Sequence, residues 1–92
     1  MFKFLKIKGD SMYPFYKNGE RIFCLKPFFF NKIELDDTII FNHEKEGMMI
    51  KQVTKINEKG YYVEGTTPYS IDSSVFGYLK KKEILYKVLF RF

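Results

Sequence analysis

Apolar positions along this chain come in short runs broken by lysine, glycine and proline, and few of them keep helical spacing. Residues 2 to 8 mix Phe2, Phe4, Leu5 and Ile7 with lysines, which predicts a short strand, and a turn follows from Gly9 to Pro14. Residues 20 to 26 predict a second strand, stopped by Pro27. Thr38-Ile39-Ile40-Phe41 is β-branched and aromatic and predicts a third. Asn42 to Gly47 reads as a hairpin connection. Residues 48 to 56 and 61 to 64 predict two more strands joined by Asn57-Glu58-Lys59-Gly60, the clearest hairpin in the sequence. The C-terminal segment alternates most regularly: Ile84, Tyr86, Val88, Phe90 and Phe92 fall on one face, and Leu85, Lys87, Leu89 and Arg91 on the other. Helical turns are expected only after Pro14 and near Lys80 to Glu83. The Gly65–Gly77 stretch, rich in hydroxyl side chains, reads as an irregular loop whose side chains bond nearby backbone. The predicted fold class is mainly β: a small antiparallel, partly open barrel-like domain with at most one or two short helical turns.

Composition sharpens this picture. The chain has 92 residues, which predicts one domain spanning 1–92. It contains no alanine, the best helix former, while Phe and Tyr supply 20% of it. An apolar share of 46% is too high for a disordered chain. The lone cysteine, Cys24, forbids an intramolecular disulfide framework, and with the lone histidine, His43, argues against a metal centre; no cofactor is expected. No apolar run approaches the ~20 residues that cross a bilayer. The charged N-terminus (Met1-Phe2-Lys3-Phe4-Leu5-Lys6) does not resemble a signal peptide, so the expected location is cytoplasmic. The net charge of +5 invites an acidic partner. A small basic aromatic domain fits an OB-like nucleic-acid module. Against that, only Arg21 and Arg91 are arginine, and Glu34, Asp36, Asp37, Glu44 and Glu46 interrupt any basic groove, so no nucleic acid is expected.

Three segments carry candidate chemistry. In Gly9-Asp10-Ser11-Met12-Tyr13-Pro14 a serine follows a glycine at a strand end, and proline restricts the chain just beyond, as suits a presented nucleophile or a plain turn. In Met48-Met49-Ile50-Lys51-Gln52-Val53 a strand would put Lys51 on the face of Met49 and Val53. A lysine desolvated there loses preference for its charged form and can serve as a general base; the ordinary alternative is a lysine that snorkels to water. The third segment, Gly65 to Gly77, places Ser70, Asp72, Ser73 and Ser74 within five positions, between Pro68 and Phe76-Gly77.

Taken together, the three segments resemble the signal peptidase I and SOS-repressor superfamily of serine–lysine proteases. There a G-x-S-M-x-P segment carries the nucleophile, an [IV]-K-R-V strand the base, and a later serine- and aspartate-rich loop buttresses the site. Lys17-Asn18-Gly19-Glu20-Arg21-Ile22, Leu35-Asp36-Asp37-Thr38-Ile39-Ile40-Phe41 and the closing Glu83 to Phe92 extend the likeness over nearly the whole chain. The resemblance implies that Ser11 is the nucleophile and Lys51 the general base. It further implies that Ser70 orients the lysine, that Asp72 and Ser73 support the loop, and that Met12 and Pro14 are structural neighbours of the nucleophile. Gly9 and Asp10 flank the oxyanion region, where the Ser11 N–H would be one donor.

This chain departs from the family pattern at Gln52, where arginine usually follows the lysine, at Thr66-Thr67, which replace Asp-Asn, and at Ser74, which replaces arginine. The charged partners are lost together, so none is stranded. The compact Lys51–Gly65 hairpin looks most like nickel-type superoxide dismutase maturation proteases, with no anchor or inserted domain expected. Phe28, Phe29 and Phe30, between Lys26 and Lys32, are a candidate for weak peripheral membrane contact or for capping the core. The leading reading is a serine endopeptidase that takes a protein or peptide substrate as an extended strand. An inactive peptide-binding relative is the alternative. A Ser11–His43–Asp72 triad is a weaker arrangement, because His43 lies in a polar connection.

Overall fold

In the computed structural model the described residues are 2–9, 12–27, 32–45, 47–67 and 71–92. Six strands carry the fold: β1 (Phe2–Lys6), β2 (Arg21–Leu25), β3 (Thr38–His43), β4 (Gly47–Asn57), β5 (Gly60–Glu64) and β6 (Ile84–Arg91). They form one sheet in the order β1-β2-β6-β3-β4-β5, antiparallel at every neighbouring pair. The expected mainly-β, antiparallel, partly open architecture is what this sheet presents. The last strand inserts between β2 and β3, so its long-range pairing joins the two halves. Among the described residues the helical content is a single turn α1 (Ser73–Phe76) and a 3-10 turn at Lys81–Glu83. The second was expected near Lys80–Glu83. The first corrects the reading of Gly65–Gly77 as wholly irregular.

Alternation along the strands sends side chains to two cores. Ile22, Cys24, Ile40, Ile50 and Val88 pack with Ile7 and Met12 on one face. Ile39, Phe41, Val53, Val63 and Ile84 pack on the other, beneath Ile33 and Leu79. In β3 the switch is residue by residue: Ile40 enters the first core, Ile39 and Phe41 the second.

Strand β6 departs from the expected single apolar face. Ile84 lies in the second core, Tyr86 and Val88 belong to the first, and Phe90 and Phe92 are exposed. The cause is two register shifts. Ile40 pairs with Tyr86 while Phe41 pairs with Ile84, and Cys24 pairs with Val88 while Phe23 pairs with Phe90. Each extra residue on β6, first Leu85 and then Leu89, turns the following side chains to the opposite face.

The β4–β5 hairpin closes as its sequence implies. Asn57 pairs with Gly60, and the Asn57 Oδ1 accepts from the Lys59 N–H at 2.8 Å. Gly60 sits at φ 120, and a side chain there would run into the Leu79 carbonyl. Only glycine allows that approach. It lets Leu79 bridge to Tyr61, placing Leu79 beside β5.

Candidate active site

Lys51 lies in the middle of β4, directly opposite Ile39 on β3. It shares the face of Val53, which is paired with Val63 on β5. The side chain is 1% exposed and is among the largest fully buried in the protein. Strand geometry explains this: with a period of two, a lysine placed between Met49 and Val53 must follow them inward. The expectation for its face therefore holds, and the snorkelling alternative does not. Burial lowers the Lys51 pKa from its ordinary value of 10.5, and the negative charge of Asp72 only partly opposes the shift. Among the described residues the ion pairs are Lys87–Asp37 at 3.2 Å and Arg91–Glu20 at 3.9 Å, and Lys51 is in neither.

Asp72 is held at the start of α1. As N-cap it accepts from the Ser74 N–H at 3.0 Å and from the Ser74 Oγ at 2.6 Å. Partial burial alone would raise its pKa. The two Ser74 bonds, a bond from the Gly65 backbone and the charge of Lys51 outweigh that and lower it. Ser73 is buried, and its Oγ accepts from the Val63 N–H at 2.8 Å, tying α1 to β5 next to the strand that bears Lys51. Thr66, at a position where the sequence departs from the family pattern, donates from Oγ1 to the Tyr13 carbonyl at 2.6 Å. That bond spans 53 residues and joins the Asp72-bearing segment to the turn after Met12. Gln52, the other departure, reaches the Asp36 carbonyl from Nε2 at 3.4 Å.

Among the described flanks of the predicted nucleophile, Met12 is buried in the first core. Its carbonyl accepts from the Tyr16 N–H at 2.9 Å, which closes a turn. Gly9 takes φ +86, and its N–H donates to Asn18 Oδ1 at 3.0 Å. Ser11 itself, Asp10 and Ser70 lie outside the described residues, as do Phe28, Phe29 and Phe30. Of the predicted site residues that are described, the structure brings Lys51, Asp72 and Ser73 together around the β4–β5 pair. Met12 stands on the turn that Thr66 reaches.

His43 is positioned differently. It ends β3 opposite Gly47, four strand positions from the Ile39–Lys51 pair, or roughly 13 Å at strand rise. Its ring faces Phe76 at 5.2 Å, and Nδ1 accepts from the Lys45 N–H at 3.2 Å. The charge that Asp72 meets is that of Lys51. In the sequence Thr66 is only a departure from the family pattern; its link to Tyr13 is visible only in the fold. No group of three or more His, Cys, Asp or Glu side chains suited to a metal ion occurs among the described residues.

The fold is thus an antiparallel sheet with a buried lysine on β4, bordered by a serine- and aspartate-bearing turn. The chain matches the peptidase S24-like family model over residues 2–68 and belongs to that family. The matched span includes the positions of Ser11 and Lys51 and stops before Ser70, Asp72 and Ser73. No curated protein matches the chain. Among the described residues, no helix is long and apolar enough to cross a membrane.

Proposed function

We propose that this protein is a serine endopeptidase in which Ser11 and Lys51 form the catalytic dyad. The observation that carries the reading is the buried Lys51, whose pKa is lowered on a β-strand of a peptidase S24-like chain. A lysine kept from water has a larger neutral fraction near neutral pH and can accept a proton. In the proposed cycle Lys51 Nζ takes the proton of Ser11 Oγ, and Oγ attacks the scissile carbonyl carbon. The resulting oxyanion is met by preorganised donors, among them the Ser11 N–H. The tetrahedral species collapses as Lys51 returns its proton to the leaving amine, which departs and leaves an acyl-enzyme. Water then loses a proton to Lys51 and attacks the ester carbonyl, and as the C–Oγ bond breaks Lys51 returns the proton to Ser11 Oγ, releasing the acid product.

Ser70 orients Lys51 in this proposal, and the Asp72–Ser73 turn keeps the buried pocket in shape. The substrate binds as an extended strand, for which main-chain pairing gives affinity and side-chain pockets give specificity. The processing of a precursor segment is the reaction class this compact hairpin form fits.

The test is cleavage of an unfolded casein-type substrate by wild type, Ser11→Ala, Lys51→Ala and His43→Ala. Loss in the first two variants with retention in the third supports the dyad. Full activity in Lys51→Ala overturns it. Activity is expected to rise with pH as Lys51 loses its proton, because the neutral amine is the working form.

A further inference from the structure

The half of the sheet built from β1, β2 and β6 carries five phenylalanines on one face. Phe23 lies 5.4 Å from Phe2, 5.0 Å from Phe4 and 5.1 Å from Phe90, centroid to centroid. Phe92 completes the network at 5.7 Å from Phe4 and 5.9 Å from Phe90. The rings contact one another yet stay wet: Phe2, Phe4, Phe90 and Phe92 are 63%, 59%, 53% and 58% exposed. On the β3–β4–β5 half, the same face of the sheet is covered by the second core.

The exposed rings amount to on the order of 500 Å², at ~150–250 Å² for a whole aromatic residue. That is toward the upper end of the largest apolar patch found on ordinary monomers. The next cross-strand pair after Phe4–Phe23 on this face is Lys6–Arg21. These two cations line, with Phe4, Leu5 and Phe92, a shallow groove of about 310 Å³. Among the described residues neither is in an ion pair. Within β1 and β2 the positions on this face hold apolar residues and these two cations, with no acid.

We propose that this aromatic face binds an anionic lipid surface, with the rings entering the headgroup–acyl boundary and Lys6 and Arg21 meeting lipid phosphates. Charge complementarity favours this occupant: both flanking groups are positive, and the chain carries +5. A second copy fits less well. Stable dimers bury ~800 Å² per partner, more than the rings offer, and pairing would press the cations of two positive chains together. Two weak signals, an aromatic patch and a basic rim, are what reversible peripheral binding requires. The surface uses none of the residues proposed for catalysis, so Lys51→Ala protein is expected to bind equally well.

The experiment is co-sedimentation with phosphatidylcholine vesicles made with and without phosphatidylglycerol. Binding is expected only when phosphatidylglycerol is present, and it weakens with added salt. Lys6→Ala and Arg21→Ala each reduce partitioning roughly fivefold. Phe4→Ser with Phe92→Ser reduces it roughly tenfold or more, with an unchanged far-UV spectrum. The charge variants keep the test decisive if the ring variant fails to fold. Failure to bind phosphatidylglycerol vesicles, or indifference to all these substitutions, overturns the proposal. So does ring-dependent self-association in sedimentation velocity, which would assign the face to a second copy.

Discussion

Replacing Lys51 by methionine should make the protein more stable, and the gain should fade as pH rises. The lysine is 1% exposed and outside the ion pairs of the described residues, so folding takes an ammonium group from water with incomplete repayment. Its folded pKa lies below 10.5, the ordinary value it regains on unfolding. Between those two values the unfolded chain binds more protons than the folded one, so stability rises with pH there by up to ~1.4 kcal/mol per pH unit. Below the folded pKa the full penalty applies; above 10.5 it vanishes. Methionine keeps much of the side-chain volume and has nothing to titrate. Asp72 is not stranded by the change, because Ser74 and Gly65 still donate to it. Exchange of a buried charge for a packed apolar group then predicts a gain of about 1–3 kcal/mol near pH 7, shrinking toward zero by about pH 10.5. Urea denaturation of both proteins across that range, followed by far-UV dichroism, measures the difference, and titrations shared by the two cancel. A Lys51→Met protein less stable than wild type near pH 7, or a gap that does not change with pH, would refute the reasoning.

Ser73→Ala removes the acceptor of the buried Val63 N–H and should cost about 1–3 kcal/mol in the same denaturation assay; a loss within error would mean that water replaces the hydroxyl. Gly60→Ala should cost roughly 1–3 kcal/mol, because it combines a positive φ with a clash at the Leu79 carbonyl, and wild-type stability would contradict the close approach. Cys24 is 0% exposed, burial pushes its thiol pKa up despite Lys3, and its Sγ–H reaches the Lys3 carbonyl at 3.3 Å. Its reaction with an aromatic disulfide reagent should be roughly 10³-fold slower in the folded protein than in urea, and comparable rates would place the thiol at the surface.

How much of this could be read from residues alone depended on whether strand register stayed intact. Along β4 it does from Gly47 to Val53, so period-two reasoning assigned Lys51 to the buried face, and the β4–β5 hairpin followed from its turn residues. Along β6 it does not. An alternation that reads as one continuous apolar face is cut by two bulges into three pieces, and a bulge has no composition signal strong enough to reveal it. That is why Phe90 and Phe92, which the alternation puts on one face with Ile84, Tyr86 and Val88, lie instead in the exposed ring network. α1 was missed for a different reason. Four residues are too few to show helical periodicity, although Asp72 before the turn and Gly77 after it are the cap residues that could have marked it. The polar links of the site were less legible still, since Thr66 and Tyr13 are distant in sequence and hydroxyl-to-carbonyl bonds leave no pattern.

Those links bear on what the family departures do. At the positions that depart from the family pattern this chain makes neutral bonds: Thr66 ties its loop to the Tyr13 carbonyl at 2.6 Å, and Gln52 ties β4 to the Asp36 carbonyl at 3.4 Å. A solvent-exposed ion pair contributes ~0–1 kcal/mol and a neutral hydrogen bond ~0.5–1.5 kcal/mol, so the exchange need not cost stability. It does change the electrostatics around Lys51. Without an arginine next to the lysine or a second carboxylate at Thr66 or Thr67, Asp72 is the acidic group whose field opposes the burial effect on Lys51. Hydrogen bonds from Ser74 and Gly65 lower the Asp72 pKa, so it remains anionic across the range in which Lys51 changes charge. The Lys51 pKa is then set by burial, which lowers it, against the charge of Asp72, which raises it, with burial the stronger. Neutral anchoring at Thr66 keeps the Asp72 segment in place while adding no charge of its own.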